Sequence, residues 1–230
     1  MHAIKTIILA LLLSHTITGM AQRTDNDTEQ LGMAIEYFTS GKYHEALLIF
    51  QRLDKQYKLN DRFRAYIGLC YYYEWEYKLA AKYLDEVLPR LEGLAPKERS
   101  VYYYTDAESH FQMEEYTAAI PLYEHVLLLG YERDKGDVFY RLGFCYMFQE
   151  KWQEAADNFT AARDYYLQFR NTSDLTARLA QIERMIEGCE ANGNENNNDN
   201  GNENDNENGN VNPSYSHPQS SEASDPSPNS

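Results

Sequence analysis

The chain has 230 residues, of which 43% are hydrophobic and 13% aromatic, and a formal net charge of −15. A protein this acidic repels phosphate backbones, so we predict no nucleic-acid partner. Three cysteines, at positions 70, 145 and 189, are too few and too scattered for a disulfide framework.

The first 21 residues have the pattern of a secretory signal peptide. Lys5 precedes an apolar run from Ile7 to Leu13, and the segment closes on the small residues Gly19 and Ala21. The run is well short of the roughly 20 apolar residues that a membrane-spanning helix needs. We therefore expect cleavage, a short disordered lead over 22–26, a periplasmic or secreted protein and no stable membrane span. The alternative is an uncleaved N-terminal membrane anchor.

Four segments then repeat one pattern of small residues. In the first helix of each segment the small residue recurs at Ala34, Gly68, Ala107 and Gly143. In the second helix it recurs at Ala46, Ala80, Ala119 and Ala155. Both series step by 34, 39 and 36 residues. Agreement between two independent series predicts four helix-turn-helix units, near 27–60, 61–94, 100–133 and 136–169.

An aromatic residue also follows each inter-helix turn, at Tyr43, Tyr77, Tyr116 and Trp152. These residues and their spacing resemble the tetratricopeptide repeat family over nearly the whole of 27–189. The resemblance implies an all-α fold, a right-handed solenoid of four repeats that stack because each leaves an apolar side uncovered. It also implies that paired helices approach closely where small residues meet, Gly68 against Ala80 and Gly143 against Ala155.

The turns depart from the family pattern. The glycine that the family usually has between the two helices is present only as Gly41. Trp75, Glu114 and Glu150 stand at the matching positions of the other repeats.

A fifth element follows the repeats. Leu175, Leu179, Ile182 and Ile186 recur at helical spacing, which predicts a capping helix over 173–188 that Gly188 ends. From Glu190 onward the chain is rich in Asn, Gly, Glu, Ser and Pro, with eight acidic residues and no Lys or Arg. Such a composition cannot bury enough apolar surface to fold, so we predict a disordered tail over 190–230.

The family resemblance also implies a binding site, because the first helix of each pair lines a concave groove that binds partners. Carrying the family's groove positions over gives thirteen candidates: Ile35, Phe38, Arg62, Leu69, Tyr72, Tyr73, Tyr104, Glu108, Phe111, Tyr140, Phe144, Met147 and Phe148. Arg62 is their only basic member, so a cationic clamp for an acidic peptide terminus is not supported. Tyr and Phe supply large contact area at low entropic cost, which favours an apolar or mixed peptide or protein segment.

Two alternatives to this groove stay open. The same aromatic residues could fill the core of the stack instead of lining a surface. Aromatic rings also stack on sugar faces, so the alternative function is a glycan-binding accessory protein. We expect a monomer or weak oligomer, since the polar face of the capping helix disfavours end-to-end association.

The sequence has no nucleophile motif, no phosphate-binding glycine loop and no pair of carboxylates with a reason to be paired. Among His44, His110 and His125, none has a metal-ligand spacing to Cys or another His. We therefore predict a non-enzymatic interaction scaffold without metal or cofactor. His110 replaces the usual Tyr of the third repeat, and we expect it to have a hydrogen-bonded packing role.

Overall fold

The computed structural model describes residues 26–171 and 173–202. Within these ranges the chain is helical, with nine α-helices and no strand: α1 over 26–39, α2 Tyr43–Tyr57, α3 Asp61–Tyr73, α4 Tyr77–Val87, α5 Pro96–Gln112, α6 Tyr116–Leu129, α7 Lys135–Met147, α8 Trp152–Phe169 and α9 Leu175–Asn202. None of the helices in the described ranges is long and apolar enough to cross a membrane. The predicted signal peptide, residues 22–25 of the lead and the tail beyond 202 lie outside the described residues. Asn26, expected in the lead, is already helical.

The helices pack in chain order, as the repeat pattern predicts. Helix α3 packs on α4, α5 on α6 and α7 on α8, and these pairs are joined through α4–α5 and α6–α7 contacts. The small residues of both periodic series are fully buried where they are alanines, including Ala34, Ala80 and Ala155. The predicted all-α solenoid of four helical hairpins is confirmed.

The four inter-helix turns share one backbone geometry. One residue in each turn has a positive φ: Gly41 (73°), Trp75 (67°), Glu114 (62°) and Glu150 (59°). The following amide donates to a carbonyl five residues earlier, as Lys42 N does to Tyr37 O at 2.8 Å and Lys151 N to Tyr146 O at 3.0 Å. This is the Schellman ending of a helix, which favours glycine at the positive-φ position. Three repeats keep the turn geometry with a residue that disfavours it.

Glu150→Gly should therefore stabilise the protein by about 0.5–1 kcal/mol, because relief of the left-handed strain exceeds the added chain entropy of glycine. Gly41→Ala is the matched control and should destabilise the equivalent turn by a similar amount. Equilibrium unfolding in urea measures both changes in the free energy of unfolding, provided that its slope against urea concentration is the same as for the parent. A Glu150→Gly variant less stable than the parent would contradict this account of the turns.

Close approach within the hairpins rests on a glycine facing a large side chain. A Cβ added at Gly143 would lie 2.6 Å from two ring carbons of Phe159, and one added at Gly68 would lie 2.7 Å from Leu84 Cγ. The nearest partner is thus one helical turn beyond the predicted alanine, although the Ala80 carbonyl oxygen still lies 3.4 Å from the position at Gly68. The Ala80 backbone thus lies close to Gly68 as expected, and the large side chains Leu84 and Phe159 fill the space beside the two glycines.

Helix α9 covers the last hairpin. Ile182, Ile186 and Cys189 are buried in one cluster with Phe159 and Tyr166 of α8. The expectation that Gly188 ends this helix is wrong, because α9 continues to Asn202. The buried stripe runs on past the glycine to Cys189, so packing outweighs the local stop signal. Residues up to Gly193 form one compact unit, and the last residues of α9 belong to a second.

Candidate functional site

A cleft of about 340 Å³ opens beside the turn that follows α5. We call it the aromatic cleft, and its lining residues are Phe111, Gln112, Glu114, Tyr116, Arg141, Phe144 and Phe148. Helix α5 ends at Gln112 and α7 at Met147. The cleft therefore lies at the C-terminal ends of the first helices of the third and fourth hairpins, and we call the first helix of each hairpin an inner helix.

Stacked rings form the apolar part of the cleft. The Phe148 ring stacks on Tyr116 with centroids 4.9 Å apart and on Phe144 at 5.9 Å, and it lies 6.5 Å from Phe111. Although supported by three rings, Phe148 keeps 50% of its surface exposed. A ring held rigidly by others and open to solvent provides a preorganised apolar contact surface.

A partly buried ion pair, between Arg141 and Glu108, adjoins the cleft. Glu108 is only 2% exposed. Its carboxylate accepts hydrogen bonds from Arg141 Nη2 at 2.8 Å and from the Tyr123 hydroxyl at 2.5 Å. Arg141 Nε lies 2.7 Å from Glu108 Oε1 in the same ion pair. Burial and the charge of Glu108 raise the pKa of Tyr123. The guanidinium of Arg141 also covers the ring of Phe111, 4.7 Å from its centroid, so the ion pair fixes one wall of the cleft.

Three of the thirteen predicted groove residues are core residues. Leu69, Glu108 and Tyr140 are buried, so they are not available to a partner. Each lies on an inner helix at a position where the next repeat or α9 covers it; Tyr140, for example, packs in the cluster that contains Ile182 and Ile186. The prediction that these three contact a partner is wrong, because the family's groove positions extend into the stack here.

The other ten predicted residues fall in several places. The aromatic cleft collects Phe111, Phe144 and Phe148. Tyr104 lines a separate cleft of about 330 Å³ with Val101 and Val138. The remaining six are partly or largely exposed elsewhere along the inner helices: Ile35, Phe38, Arg62, Tyr72, Tyr73 and Met147.

Several of these six are already paired within the fold. Tyr73 stacks on Tyr43 with centroids 3.9 Å apart, and Phe38 stacks on Tyr66 at 4.6 Å. Burial and the charge of Glu108 raise the pKa of Tyr72 to about 12. Arg62 donates to Glu98 at 2.6 Å. Exposed aromatic rings therefore occur along the whole stack, with Tyr73 47% and Phe148 50% exposed. Of these two, Phe148 lines the aromatic cleft.

Sequence reasoning missed Arg141 and Tyr116 as cleft residues. Arg141 adds a second basic side chain to the candidate binding residues, so the expectation of Arg62 alone is corrected. One signal was available, because Glu108 and Arg141 carry opposite charges 33 residues apart. That separation is about one helical turn less than the 36-residue step between the third and fourth repeats, so it places them near each other on α5 and α7. Because the negative charge of Glu108 neutralises the positive charge of Arg141, the cleft still does not resemble a cationic clamp.

The described residues form a solenoid of stacked helical hairpins. No family model and no curated protein matches the sequence. Among solved structures, the fold is similar to MamA, a tetratricopeptide-repeat protein. MamA AMB-1 aligns with a TM-score of 0.57 at 16% identity, over 75% of this chain and 91% of that one. MamA 41-end from Desulfovibrio magneticus RS-1 aligns with a TM-score of 0.55 at 16% identity, over 74% and 93%. The resemblance found in the sequence is thus confirmed at the level of the fold.

Proposed function

We propose that this protein is a non-enzymatic interaction scaffold that binds a peptide or protein segment in the aromatic cleft. The observation that carries the proposal is the half-exposed ring of Phe148, which three neighbouring rings hold in place. Large aromatic side chains on a rigid base are the residues that dominate binding energy at interfaces. The helical-repeat fold, which offers extended surfaces rather than an enclosed active site, supports the same function.

The chemistry of the cleft defines the kind of segment that it binds. Its apolar rings favour a partner side chain that is aromatic or aliphatic. Glu114 at the rim and the net charge of −15 favour basic residues beside that side chain. The proposed partner segment therefore combines an apolar anchor with flanking Lys or Arg. We also propose that the protein is exported to the periplasm or outside the cell and that it is a monomer or weak oligomer.

Selection of random linear peptides displayed on phage tests this function with the full chain as bait. Selected peptides should be enriched in an aromatic or large aliphatic residue next to Lys or Arg. The Phe148→Ala variant should bind them at least tenfold more weakly, since an anchoring aromatic contact contributes about 2 kcal/mol or more. Phe169→Ala is the matched control, because this phenylalanine of α8 is 41% exposed and stacks on Tyr165.

The outcomes separate the alternatives. Loss of binding in Phe148→Ala but not in Phe169→Ala supports a cleft for peptides. Equal loss in both variants, or no enriched peptide, contradicts it. Saturable binding on a glycan array that disappears in Phe148→Ala would favour the glycan-binding function instead.

A further inference from the structure

A group of polar side chains converges between α4, α5 and the turn after α5, and it shares no residue with the lining of the aromatic cleft. Asp85 comes from α4, and Asp106 and His110 lie four residues apart on one face of α5. Glu115 follows in the turn. One ligand atom from each of Asp85, Asp106 and His110 lies within 4.8 Å of the others.

Asp106 is the unusual member of the group. Its side chain is fully buried, at 0% exposure, and neither carboxylate oxygen has a hydrogen-bond partner. An isolated buried carboxylate is costly, and proteins satisfy such groups with hydrogen bonds, an opposite charge or a metal ion. Burial and the nearby charge of Asp85 raise the pKa of Asp106 to about 8. A protonated His110, a shared proton or a bound metal cation would each balance the charge at this point.

The distances suit a small cation. His110 Nε2 lies 3.5 Å from Asp85 Oδ2 and 3.8 Å from Asp106 Oδ1. In a tetrahedral site with metal–ligand bonds of about 2.0–2.2 Å, neighbouring ligand atoms are about 3.4 Å apart. The two distances to His110 are near this value, and all three ligand atoms lie within 4.8 Å of one another.

A carboxylate orients His110, and the group is open to solvent on one side. His110 Nδ1 lies 2.7 Å from Glu115 Oε2 and donates to this carboxylate, which leaves Nε2 facing the two aspartates. A carboxylate on the far nitrogen is the usual partner of a metal-binding histidine. The Asp85 side chain is 56% exposed, so the group opens to solvent on one side.

We propose that Asp85, Asp106 and His110 bind one divalent transition-metal ion of the Zn²⁺ class, with Glu115 orienting His110. An imidazole ligand selects such ions over Mg²⁺ and Ca²⁺, which prefer all-oxygen sites. Three protein ligands leave one position for water. The spacing of His110 in the sequence gives no sign of this site, because its partners are carboxylates and one of them lies on the preceding helix.

Calorimetric titration of the full chain with ZnCl₂ tests the site, with MgCl₂ as the comparison ion. The parent should bind one Zn²⁺ and show a higher melting temperature with it, and it should give no saturable Mg²⁺ binding. His110→Tyr and Asp85→Asn should each weaken Zn²⁺ binding at least tenfold. Both should fold, since Tyr37, Tyr71 and Tyr146 occupy the His110 position in the other repeats and Asp85 is exposed.

Two further variants separate a metal site from a merely structural cluster. Glu115→Gln should weaken Zn²⁺ binding by about 10–100-fold while leaving the melting temperature without metal unchanged. His44→Gln is the matched control, because it removes an exposed histidine that pairs with Glu74 at 2.9 Å. It should bind Zn²⁺ as the parent does. Parent-like affinity and stoichiometry in a folded His110→Tyr variant, or no saturable Zn²⁺ binding by the parent, would overturn the proposal in favour of a shared proton.

Discussion

Arg141→Ala should lower the free energy of unfolding by about 3–5 kcal/mol, because it leaves the Glu108 carboxylate buried without its counter-charge. Glu108 is 2% exposed, and this guanidinium donates one hydrogen bond to it and forms an ion pair with it. Tyr123 alone would remain to satisfy it. Equilibrium unfolding in urea, followed by circular dichroism, measures the loss.

Two comparisons identify the cause of that loss. Adding Glu108→Gln to Arg141→Ala should recover stability, since the amide oxygen still accepts from Tyr123 and no buried charge remains. Arg62→Ala breaks an ion pair with Glu98 that is exposed, so it should cost no more than about 1 kcal/mol. If Arg141→Ala costs no more than Arg62→Ala, the buried pair does not support the third and fourth repeats as described.

Phe159→Ala should cost about 3–5 kcal/mol, the usual range for deleting a buried phenylalanine. The ring of Phe159 is fully buried, and it contacts Tyr140 and Phe144 edge to face at 5.9 and 5.2 Å. It also lies directly on Gly143. Its loss therefore opens a cavity at the centre of the last hairpin, beneath the aromatic cleft.

The glycine supplies a coupled test. Gly143→Ala alone should cost about 1–3 kcal/mol, because the new methyl group meets a ring that neighbouring rings prevent from moving. In the Phe159→Ala background the same change should cost almost nothing, since the methyl group enters the cavity. Additive losses in the double variant would contradict the contact between glycine and ring.

The repeat architecture could be predicted from the sequence because small residues recur at regular intervals along the chain. Close helix packing admits only small residues at positions such as Gly68 and Ala80, and that requirement recurs in each repeat. The amphipathic stripe of α9 was equally visible, since Ile182 and Ile186 follow helical spacing. Turn geometry was less visible, because Trp75 and Glu150 adopt a backbone conformation that their side chains disfavour.

The site was only partly predictable, because accessibility depends on what the neighbouring repeat covers. Leu69 lies within α3 and Phe148 directly after the end of α7, yet both were predicted to line the groove; one is in the core and the other is half exposed. Gly188 shows the same limit, since its stop signal is outweighed by burial of Cys189 further along the helix. The group around Asp106 has residues from two helices, and their spacing along the chain does not predict that they lie close together.

Aromatic-ring NMR of the full chain, recorded with a peptide selected on it, tests the central claim most directly. The rings of Phe111, Phe144 and Phe148 should shift together and saturate with one peptide per chain, while Tyr165 and Phe169 on α8 stay unchanged. Shifts confined to α8, or no ring shift at a concentration where the peptide binds, would contradict the aromatic cleft as the binding site.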